Sequence, residues 1–259
     1  MLNVMMIGDV VGDPGLAVLE QRLPGLVREH GADFVVVNGE NAADGFGLTK
    51  ETLDRILAAG ADVVTSGNHV WEKRDFWPVL AAERRVLRPA NYPGEAPGAG
   101  WLSVQKAEVT WLVLNLQGRE YMTPIDCPFK SFDNITNIPT NTIVLVDFHA
   151  ESTREKEALA YYLDGRVSLL AGTHTHVQTA DERILPGGTA YITDLGMTGI
   201  NDSIIGMDPK ICLDRARNQV LYRMECAKAG PNGADSAVQG VIAEIDRESG
   251  RALSIKRIG

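Results

Sequence analysis

Four of the five histidines stand among residue types that bind metal ions or move protons. Together with the carboxylates and amides of similar glycine-containing segments, the candidates are Asp9, Glu40, Asn41, Asn68, His69, His149, His174 and His176. Imidazole and carboxylate in one site favour Mn, Fe or Zn, whereas Ca and Mg prefer oxygen ligands alone. The fifth histidine, His30, ends a predicted helix, so we assign it only a favourable charge at the helix C-terminus.

Eight candidate side chains exceed what one tetrahedral ion can use. Two ions about 3.5–4 Å apart, bridged by one carboxylate, use them better. A cation is also what carboxylates in a crevice require, because an unpaired buried carboxylate is strongly destabilising. The alternative from the same residues is a hydrolase with a single zinc ion, which leaves several of them without a ligand role.

Each group of candidates follows a short apolar run that is typical of a buried strand. These runs are residues 2–7, 34–37, 62–65, 143–146 and 167–170. The first three alternate with helical patterns, and this order predicts a layered α/β fold. Residues just past the carboxyl ends of such strands gather in one crevice, where ligands usually bind. We therefore expect five loops to deliver the candidates to one place.

Further elements surround these strands. The first helix is predicted to begin with Asp13 as N-cap and Pro14 at its first position, and to kink or break at Pro24. Other helices are predicted at residues 50–59, 152–163 and 209–217, and other strands at residues 102–104, 111–114 and 190–192. The pattern of residues 219–258 predicts strands around a turn at residues 230–233.

Each motif also has an ordinary structural interpretation when taken alone. Asp9 could be a turn residue, and the Gly8–Gly12 segment could suggest a phosphate loop, although no Gly-Lys-Ser/Thr follows it. His174 and His176 would place both rings on one side if their backbone were extended, because side chains alternate along a strand. The combination of motifs in strand–loop order is what favours a metal site.

The composition excludes several classes of protein. The chain has 259 residues, with 25 Lys and Arg against 34 Asp and Glu, and its formal charge of −9 argues against coating nucleic acid or an anionic membrane. Its three cysteines lack CxxC spacing and predict a reducing, cytoplasmic setting. The sequence has neither a signal-peptide pattern nor an apolar run of about 18 residues. Without a linker or repeat, we expect one domain over residues 1–259.

The motif order resembles the calcineurin-like metallophosphoesterases: Gly-Asp, Gly-Glu-Asn, Gly-Asn-His, His and Gly-Thr-His-Thr-His. Two departures from the general pattern, Val11 where a histidine is usual and Glu40 in place of the bridging aspartate, resemble the YmdB-like bacterial phosphodiesterase branch. The segments that carry this resemblance are residues 8–12, 38–42, 88–91, 115–119, 147–150, 172–181 and 193–199. The implied fold is a metallophosphoesterase-like β-sandwich flanked by helices.

The resemblance also implies a role for each candidate. One metal would be held by Asp9, Asn41 and His176, and the second by Asn68, His149 and His174. Glu40 would bridge both metals, and His69 would be the catalytic acid. The implied cofactors are two divalent or trivalent ions, Fe or Mn, with Zn as the alternative. The implied reaction is hydrolysis of phosphodiesters, above all cyclic nucleotides such as 2′,3′-cyclic NMP.

The hypothesis from this stage is in-line attack at phosphorus by a hydroxide held between two metals, with His69 protonating the leaving ribose oxygen. The acidic composition favours a small phosphodiester or cyclic nucleotide, with no membrane and no stable nucleic acid as partners. Two alternatives stay open: a phosphomonoesterase or nuclease on the same centre, and a regulatory RNA-associated binding protein with incidental hydrolase activity. A homo-oligomer stays open as well.

Overall fold

The computed structural model describes residues 1–136, 138–228 and 236–259, so the turn predicted at residues 230–233 lies outside the described residues. The strands are β1 (Leu2–Ile7), β2 (Asp9–Val10), β3 (Phe34–Asn38), β4 (Val63–Thr65), β5 (Trp101–Lys106), β6 (Val109–Gln117), β7 (Thr142–His149), β8 (Leu169–Thr173), β9 (Arg183–Ile184), β10 (Ala190–Ile192), β11 (Met197–Ile200), β12 (Ser236–Ala237), β13 (Gly240–Ile245) and β14 (Ala252–Ile258). The helices are α1 (Gly12–His30), α2 (Lys50–Ala59), α3 (Trp77–Ala82), α4 (Pro128–Asp133), α5 (Thr153–Leu163) and α6 (Pro209–Asn218), with a 3₁₀ turn at Arg74–Phe76.

Two mixed sheets form the centre of the molecule. The first has the strand order β14-β13-β1-β3-β4, in which β1, β3 and β4 are parallel. The second has the order β5-β6-β7-β8-β10-β9, with β6, β7, β8 and β10 parallel. Antiparallel strands flank both parallel groups, and a small third sheet joins β12, β11 and β2. The continuous apolar runs of the sequence are the parallel strands, which are buried on both faces.

The inner faces of the two large sheets share one hydrophobic core. Val4 and Phe34 of the first sheet belong to the same buried cluster as Leu145 and Trp111 of the second. The rings of Phe34 and Trp111 stack with centroids 4.5 Å apart. Helices α1 and α2 pack on the outer face of the first sheet, and α5 packs on the outer face of the second. The predicted β-sandwich flanked by helices is therefore confirmed.

Three local predictions differ from the structure. Helix α1 begins at Gly12 and is capped by Val11, so Asp13 lies in its first turn and is not the N-cap. The same helix continues unbroken past Pro24, because its apolar face, including Leu23, is packed against the sheet. Residues 219–228 contain only an isolated bridge at Cys226, and the strands of the C-terminal segment begin with β12.

No helix in the described parts of the chain combines the length and the apolar character that crossing a bilayer requires.

Candidate metal centre

The eight candidates lie at or just beyond the carboxyl ends of the parallel strands. Asp9 follows β1, and the pairs Glu40–Asn41 and Asn68–His69 follow β3 and β4. His149 is the last residue of β7, and His174 and His176 follow β8. Because the parallel strands of both sheets end at the same side of the sandwich, the structure brings the seven predicted metal ligands into one crevice.

In the first group of predicted ligands, His176 lies close to both Asp9 and Asn41. The His176 Nε2 atom lies 2.8 Å from Asn41 Nδ2 and 3.8 Å from Asp9 Oδ1. The other oxygen of Asp9, Oδ2, accepts a hydrogen bond of 3.2 Å from the backbone N–H of His174. This bond joins the first group to the second.

The second group surrounds the Nε2 atom of His149. Asn68 Oδ1 lies 3.0 Å from it and His174 Nδ1 lies 3.1 Å from it. Glu40 Oε1 is 3.6 Å away and also accepts a hydrogen bond from the backbone N–H of His69. Glu40 therefore lies against the second group.

Each of the three histidines has an acceptor on one of its two ring nitrogens. His176 Nδ1 donates to the carbonyl oxygen of Ile205 at 2.8 Å, and His174 Nε2 lies 3.2 Å from a carboxylate oxygen of Glu151. His149 Nδ1 lies 3.0 Å from the hydroxyl of Thr173. An imidazole that donates from one nitrogen keeps a lone pair on the other, as metal ligation requires.

The acceptor behind His149 is itself held by Asp147. The Thr173 hydroxyl donates to Asp147 Oδ1 at 2.7 Å, so its own oxygen accepts from His149 Nδ1. Thr65 and Asn38 donate to the other oxygen, Asp147 Oδ2. Burial raises the pKa of Asp147 to about 7 in spite of these three donors, and when Asp147 is ionised the arrangement makes Nδ1 of His149 the donor and leaves Nε2 without a proton.

The electrostatics of the crevice disfavour charge in the absence of a cation. Burial raises the pKa of Asp9 to about 7 and raises that of Glu40 well above its ordinary value. Burial lowers the pKa of His149 and His176, and lowers that of His174 to about 4. The rings are therefore neutral at pH 7, and among the described residues no lysine or arginine forms an ion pair with Asp9 or Glu40.

The donor set fits divalent ions. Asp9 Oδ1 and Glu40 Oε2 are buried with no hydrogen-bond partner among the described residues. Three imidazole lone pairs and the oxygen of Asn68 face the same space, with no proton between Asn68 Oδ1 and His149 Nε2. Such a convergence of acceptors is repulsive unless a cation lies among them. Among the described residues, no three His, Cys, Asp or Glu side chains lie at the spacing of a preformed metal site. The predicted ligands Asn41 and Asn68 are amides and do not belong to these four residue types.

The turn after β8 corrects one premise of the sequence interpretation. His174 and His176 are not on extended backbone, since their φ angles are 100° and 64°. Such conformations cost about 1–3 kcal/mol each for non-glycine residues and concentrate at functional sites. Asp194 holds the turn by accepting bonds from the backbone N–H and hydroxyl of Thr175, and the buried ammonium of Lys156 pairs with it at 2.7 Å. The strained turn sends the two rings to different ligand groups.

Gly67 is the glycine whose small size the centre requires. A Cβ at this position would lie 2.1 Å from Cδ2 of the His149 ring. The close approach of this loop to His149 is what brings Asn68 into hydrogen-bond distance of that ring.

His69, the predicted acid, lies beside the two ligand groups. Its backbone N–H donates to Glu40, but its side chain contacts none of the seven predicted ligands in the described structure. Its side chain is 28% exposed, and its Nδ1 atom lies 3.3 Å from a carboxylate oxygen of Glu72. The ring of Phe46 meets it edge-on with centroids 5.0 Å apart. Glu72 and Phe46 together orient an accessible imidazole, which is the geometry that a proton donor to a bound substrate needs.

Sequence reasoning gave no role to the residues that orient the ligands. Asp147 could have been found, because it stands two positions before His149 on one strand and therefore on the same face. Lys156 also carried a signal, since it falls on the buried stripe of α5 with Leu159. Thr173 carried none, because its role depends on a contact between neighbouring strands.

We expect the metal-free protein to become more stable as the pH falls from 8.5 to 7. The pKa of Asp9 and that of Asp147 are about 7, above the unfolded value of 3.8, so the folded state binds protons that the unfolded state does not. Each carboxyl then contributes about 0.4 kcal/mol over this interval, and Glu40 acts in the same direction. Urea unfolding of chelator-treated protein measures the effect.

Asp9→Asn is the matched variant, and it should show a smaller gain. Toward lower pH the gain should diminish, because unfolded histidines take up protons that the buried rings refuse and so oppose the effect of the carboxyls. The metal-loaded protein should instead lose stability on acidification, since protons compete with the metals for these ligands. A metal-free protein that loses stability between pH 8.5 and 7 would contradict the raised carboxyl pKa values.

We expect Thr173→Val to weaken metal binding about 10- to 100-fold, the usual effect of losing a partner behind a metal ligand. Valine removes the hydroxyl between Asp147 and His149, so the ring is free to adopt the tautomer with a proton on the inward Nε2. Thr173→Ser keeps the hydroxyl and should bind metal nearly as the parent does. Competition with a chromophoric chelator measures the affinity, and equal affinity of the valine and serine variants would refute the orienting role.

Comparison with known proteins gives a consistent result. The family model described as "YmdB-like protein" matches residues 5–258. The "2′,3′-cyclic-nucleotide 2′-phosphodiesterase" of Bacillus subtilis is 42% identical to this chain over 259 residues, which cover 99% of this chain and 96% of that protein.

Solved structures agree with this match. A structure described as a novel phosphatase of Mycoplasma pneumoniae superposes with a TM-score of 0.92 at 32% identity, covering 99% of this chain and 92% of that one. The NAD nucleotidase of Haemophilus influenzae has a TM-score of 0.57 at 14% identity, with 99% of this chain and 55% of that chain covered. The second likeness concerns the fold alone.

Proposed function

The chain belongs to the YmdB-like family of phosphoesterases, and from that premise we propose that it is a metal-dependent phosphodiesterase that hydrolyses 2′,3′-cyclic nucleotides. The observation that carries the proposal is the orientation of the three histidines. Each has an acceptor on one ring nitrogen, so the other nitrogen is free to act as a neutral ligand, and in His149 and His176 it lies 3.6 Å from Glu40 and 3.8 Å from Asp9. The substrate class comes from the name of the Bacillus subtilis relative.

We assign the metal ligands by the two groups of contacts. Asp9, Asn41 and His176 would hold one ion, Asn68, His149 and His174 the other, and Glu40 both. A half-turn of the Asn41 amide would present its oxygen to the first ion, where its nitrogen now faces His176. Iron or manganese suits this mixed nitrogen and oxygen set, with zinc as the alternative. When bound, the ions would supply a water of lowered pKa and neutralise the phosphoryl oxygens.

The protein's own residues would then complete the reaction. The oxygen of a water adds to phosphorus, the bond from phosphorus to the ribose 2′-oxygen breaks, and a 3′-monophosphate remains. His69 gives its proton to the departing 2′-oxygen, which would otherwise leave as an alkoxide. Glu72 accepts from Nδ1 of His69 and so leaves Nε2 as the donor to the substrate. Asp147 acts through Thr173 to keep His149 in its ligand tautomer.

We also propose the setting of this activity. Residues 1–259 would act as one domain, because the shared core joins the two sheets that carry the site. The substrate would be a phosphodiester in the cytoplasm. The acidic chain would still attract this anion, since two divalent ions reverse the local charge of the crevice.

A substrate panel combined with metal analysis tests the proposal. The panel contains 2′,3′- and 3′,5′-cyclic nucleotides, a nucleoside monophosphate and a short RNA with a free 3′-hydroxyl. We expect the 2′,3′-cyclic nucleotides to give the highest kcat/KM, with a 3′-monophosphate as product and about two metals per chain. Faster hydrolysis of the monophosphate would favour a phosphatase, the description given for the Mycoplasma pneumoniae structure, and would overturn the proposed substrate.

A further inference from the structure

A groove with a volume of about 680 Å³ opens beside His69. Two of its lining side chains, Phe46 and Glu72, are the ones that contact the His69 ring. The opposite wall is formed by Arg215 of α6 and by residues 222–228. None of the seven assigned metal ligands lines it. The groove is therefore space next to the reaction centre that a cyclic phosphate at the metals would not occupy.

The volume of the groove is that of a binding site for a whole ligand. Pockets that hold a small organic molecule typically measure about 300–1,000 Å³. A cyclic mononucleotide has its phosphate at the reaction centre and only one nucleoside to place. A groove of this size has room for nucleotides beyond the one that carries the cyclic phosphate.

The wall formed by Arg215 and residues 222–228 is basic, although the groove lining as a whole has four basic and four acidic side chains. Away from this wall, Asp13 pairs with Arg55 and Asp44 pairs with Lys73, while Glu72 lies 3.3 Å from the His69 ring. The charged lining residues without an ion pair in the described part of the chain are Arg215, Arg223, Lys228 and Glu225. Three cations against one carboxylate make this wall a site for an anionic chain, although the whole protein carries −9.

Aromatic rings accompany these cations. Phe46 lies at the end of the groove nearest His69, and Tyr222, which is 41% exposed, lies on the basic wall. A track of cations with exposed aromatic rings is how proteins bind single-stranded nucleic acid, since the cations contact the backbone and the rings stack on bases. The stacking tolerates any base, so the groove would not require a particular sequence.

We propose that the groove binds the RNA chain that precedes a terminal 2′,3′-cyclic phosphate, so that the preferred substrates are oligoribonucleotides with this end. The inference rests on the proposed function and extends its substrate class. The reaction is unchanged: water adds to the terminal phosphorus, the bond to the 2′-oxygen breaks, and the chain keeps a 3′-phosphate. The internal phosphodiesters are bound by the basic wall and are not cleaved.

The test compares a cyclic mononucleotide with a trinucleotide that has the same 3′-nucleoside and a terminal 2′,3′-cyclic phosphate. At low salt, we expect kcat/KM for the trinucleotide to be at least about 10-fold higher, mostly from contacts of its internal phosphates with the basic wall and in lesser part from base stacking. Its two internal phosphates should steepen the dependence on salt, by about 0.7 in the log–log slope for each phosphate contact. Equal kcat/KM and equal salt dependence for the two substrates would overturn the proposal.

A charge-removing variant locates the effect. In Arg215→Ala/Arg223→Ala/Lys228→Ala, we expect the preference for the trinucleotide to fall to within about twofold of the mononucleotide, because most of it depends on these contacts. The matched control is Arg247→Ala: Arg247 lies in the turn between β13 and β14, donates to the carbonyl of Glu108 and does not line the groove, so this variant should keep the full preference. A preference that survives in the triple variant would place the chain elsewhere and refute the groove.

A binding measurement separates this inference from the proposed function. The probe is a fluorescently labelled trinucleotide with a 3′-phosphate, which is the product and cannot be hydrolysed further. Binding of the probe by the metal-loaded parent that is weakened in the triple variant supports the groove. If neither cyclic substrate is hydrolysed in the same samples, only the proposed function is overturned. Hydrolysis of the mononucleotide with no binding of the probe would overturn the groove alone.

Discussion

Replacing His69 with alanine is expected to lower kcat by about 10²- to 10⁴-fold while both metals remain bound. The side chain of His69 contacts Glu72 and Phe46 and none of the assigned metal ligands. Only its backbone N–H reaches the centre, where it donates to Glu40, and alanine keeps that bond. The loss should therefore appear in turnover and not in metal content, measured by steady-state kinetics and elemental analysis of the same sample.

The leaving group provides a sharper readout of the same role. A proton donor matters when a ribose oxygen leaves, because an alkoxide is a poor leaving group, but it matters little when a nitrophenolate leaves. The defect of His69→Ala should be large on a 2′,3′-cyclic nucleotide and within about 10-fold on a nitrophenyl phosphodiester. Equal defects on both substrates would assign His69 to positioning and not to proton transfer.

His30→Ala is the matched control for this variant. His30 ends α1, and its backbone carbonyl accepts a hydrogen bond from the side chain of Asn3. We expect unchanged kcat and metal content in this variant. Full activity in His69→Ala, with both metals present, would refute the acid assignment and leave the proton to another group.

The placement of the ligands could be predicted because it depends on strand ends. Buried parallel strands are readable as continuous apolar runs, and their carboxyl ends must meet at one side of the sandwich. Asp9, Glu40 and His149 therefore came together without any knowledge of side-chain contacts. The family resemblance added the assignment to two metals, which stays a prediction.

The orientation of the ligands could not be predicted, because it depends on contacts between distant parts of the chain. The acceptor for His176 is the backbone carbonyl of Ile205, and a carbonyl has no residue type to reveal it. The acceptor for His149 lies on a neighbouring strand, at Thr173. The turn that carries His174 has a positive φ, which a local rule of alternating side chains does not foresee.

Glu40→Gln is expected to cause the largest combined effect on metal content and activity. Glu40 is fully buried, its Oε1 lies 3.6 Å from His149 Nε2, and its Oε2 has no hydrogen-bond partner in the described structure. An amide keeps the shape but removes the charge that would bridge two cations. We expect fewer than two metals per chain and a kcat/KM lowered about 10³-fold or more, since the metals supply several kcal/mol of charge stabilisation.

The same variant should have the opposite effect on the metal-free protein. Burial raises the pKa of Glu40 well above its ordinary value, so ionising this carboxyl in the folded state is unfavourable. A neutral amide avoids that penalty, and metal-free Glu40→Gln should unfold at a higher urea concentration than the metal-free parent at pH 8.5. With metal in excess the order should reverse, because only the parent gains the full binding free energy.

Glu108→Gln is the control for charge alone, since its side chain is 94% exposed and lies on a hairpin far from the centre. It should leave metal content and both unfolding curves as in the parent. Two metals per chain with unchanged kcat/KM in Glu40→Gln would refute the bridging role. A metal-free Glu40→Gln that is less stable than the parent at pH 8.5 would contradict the raised pKa, because an ionised carboxylate would then already be satisfied in the protein without any cation.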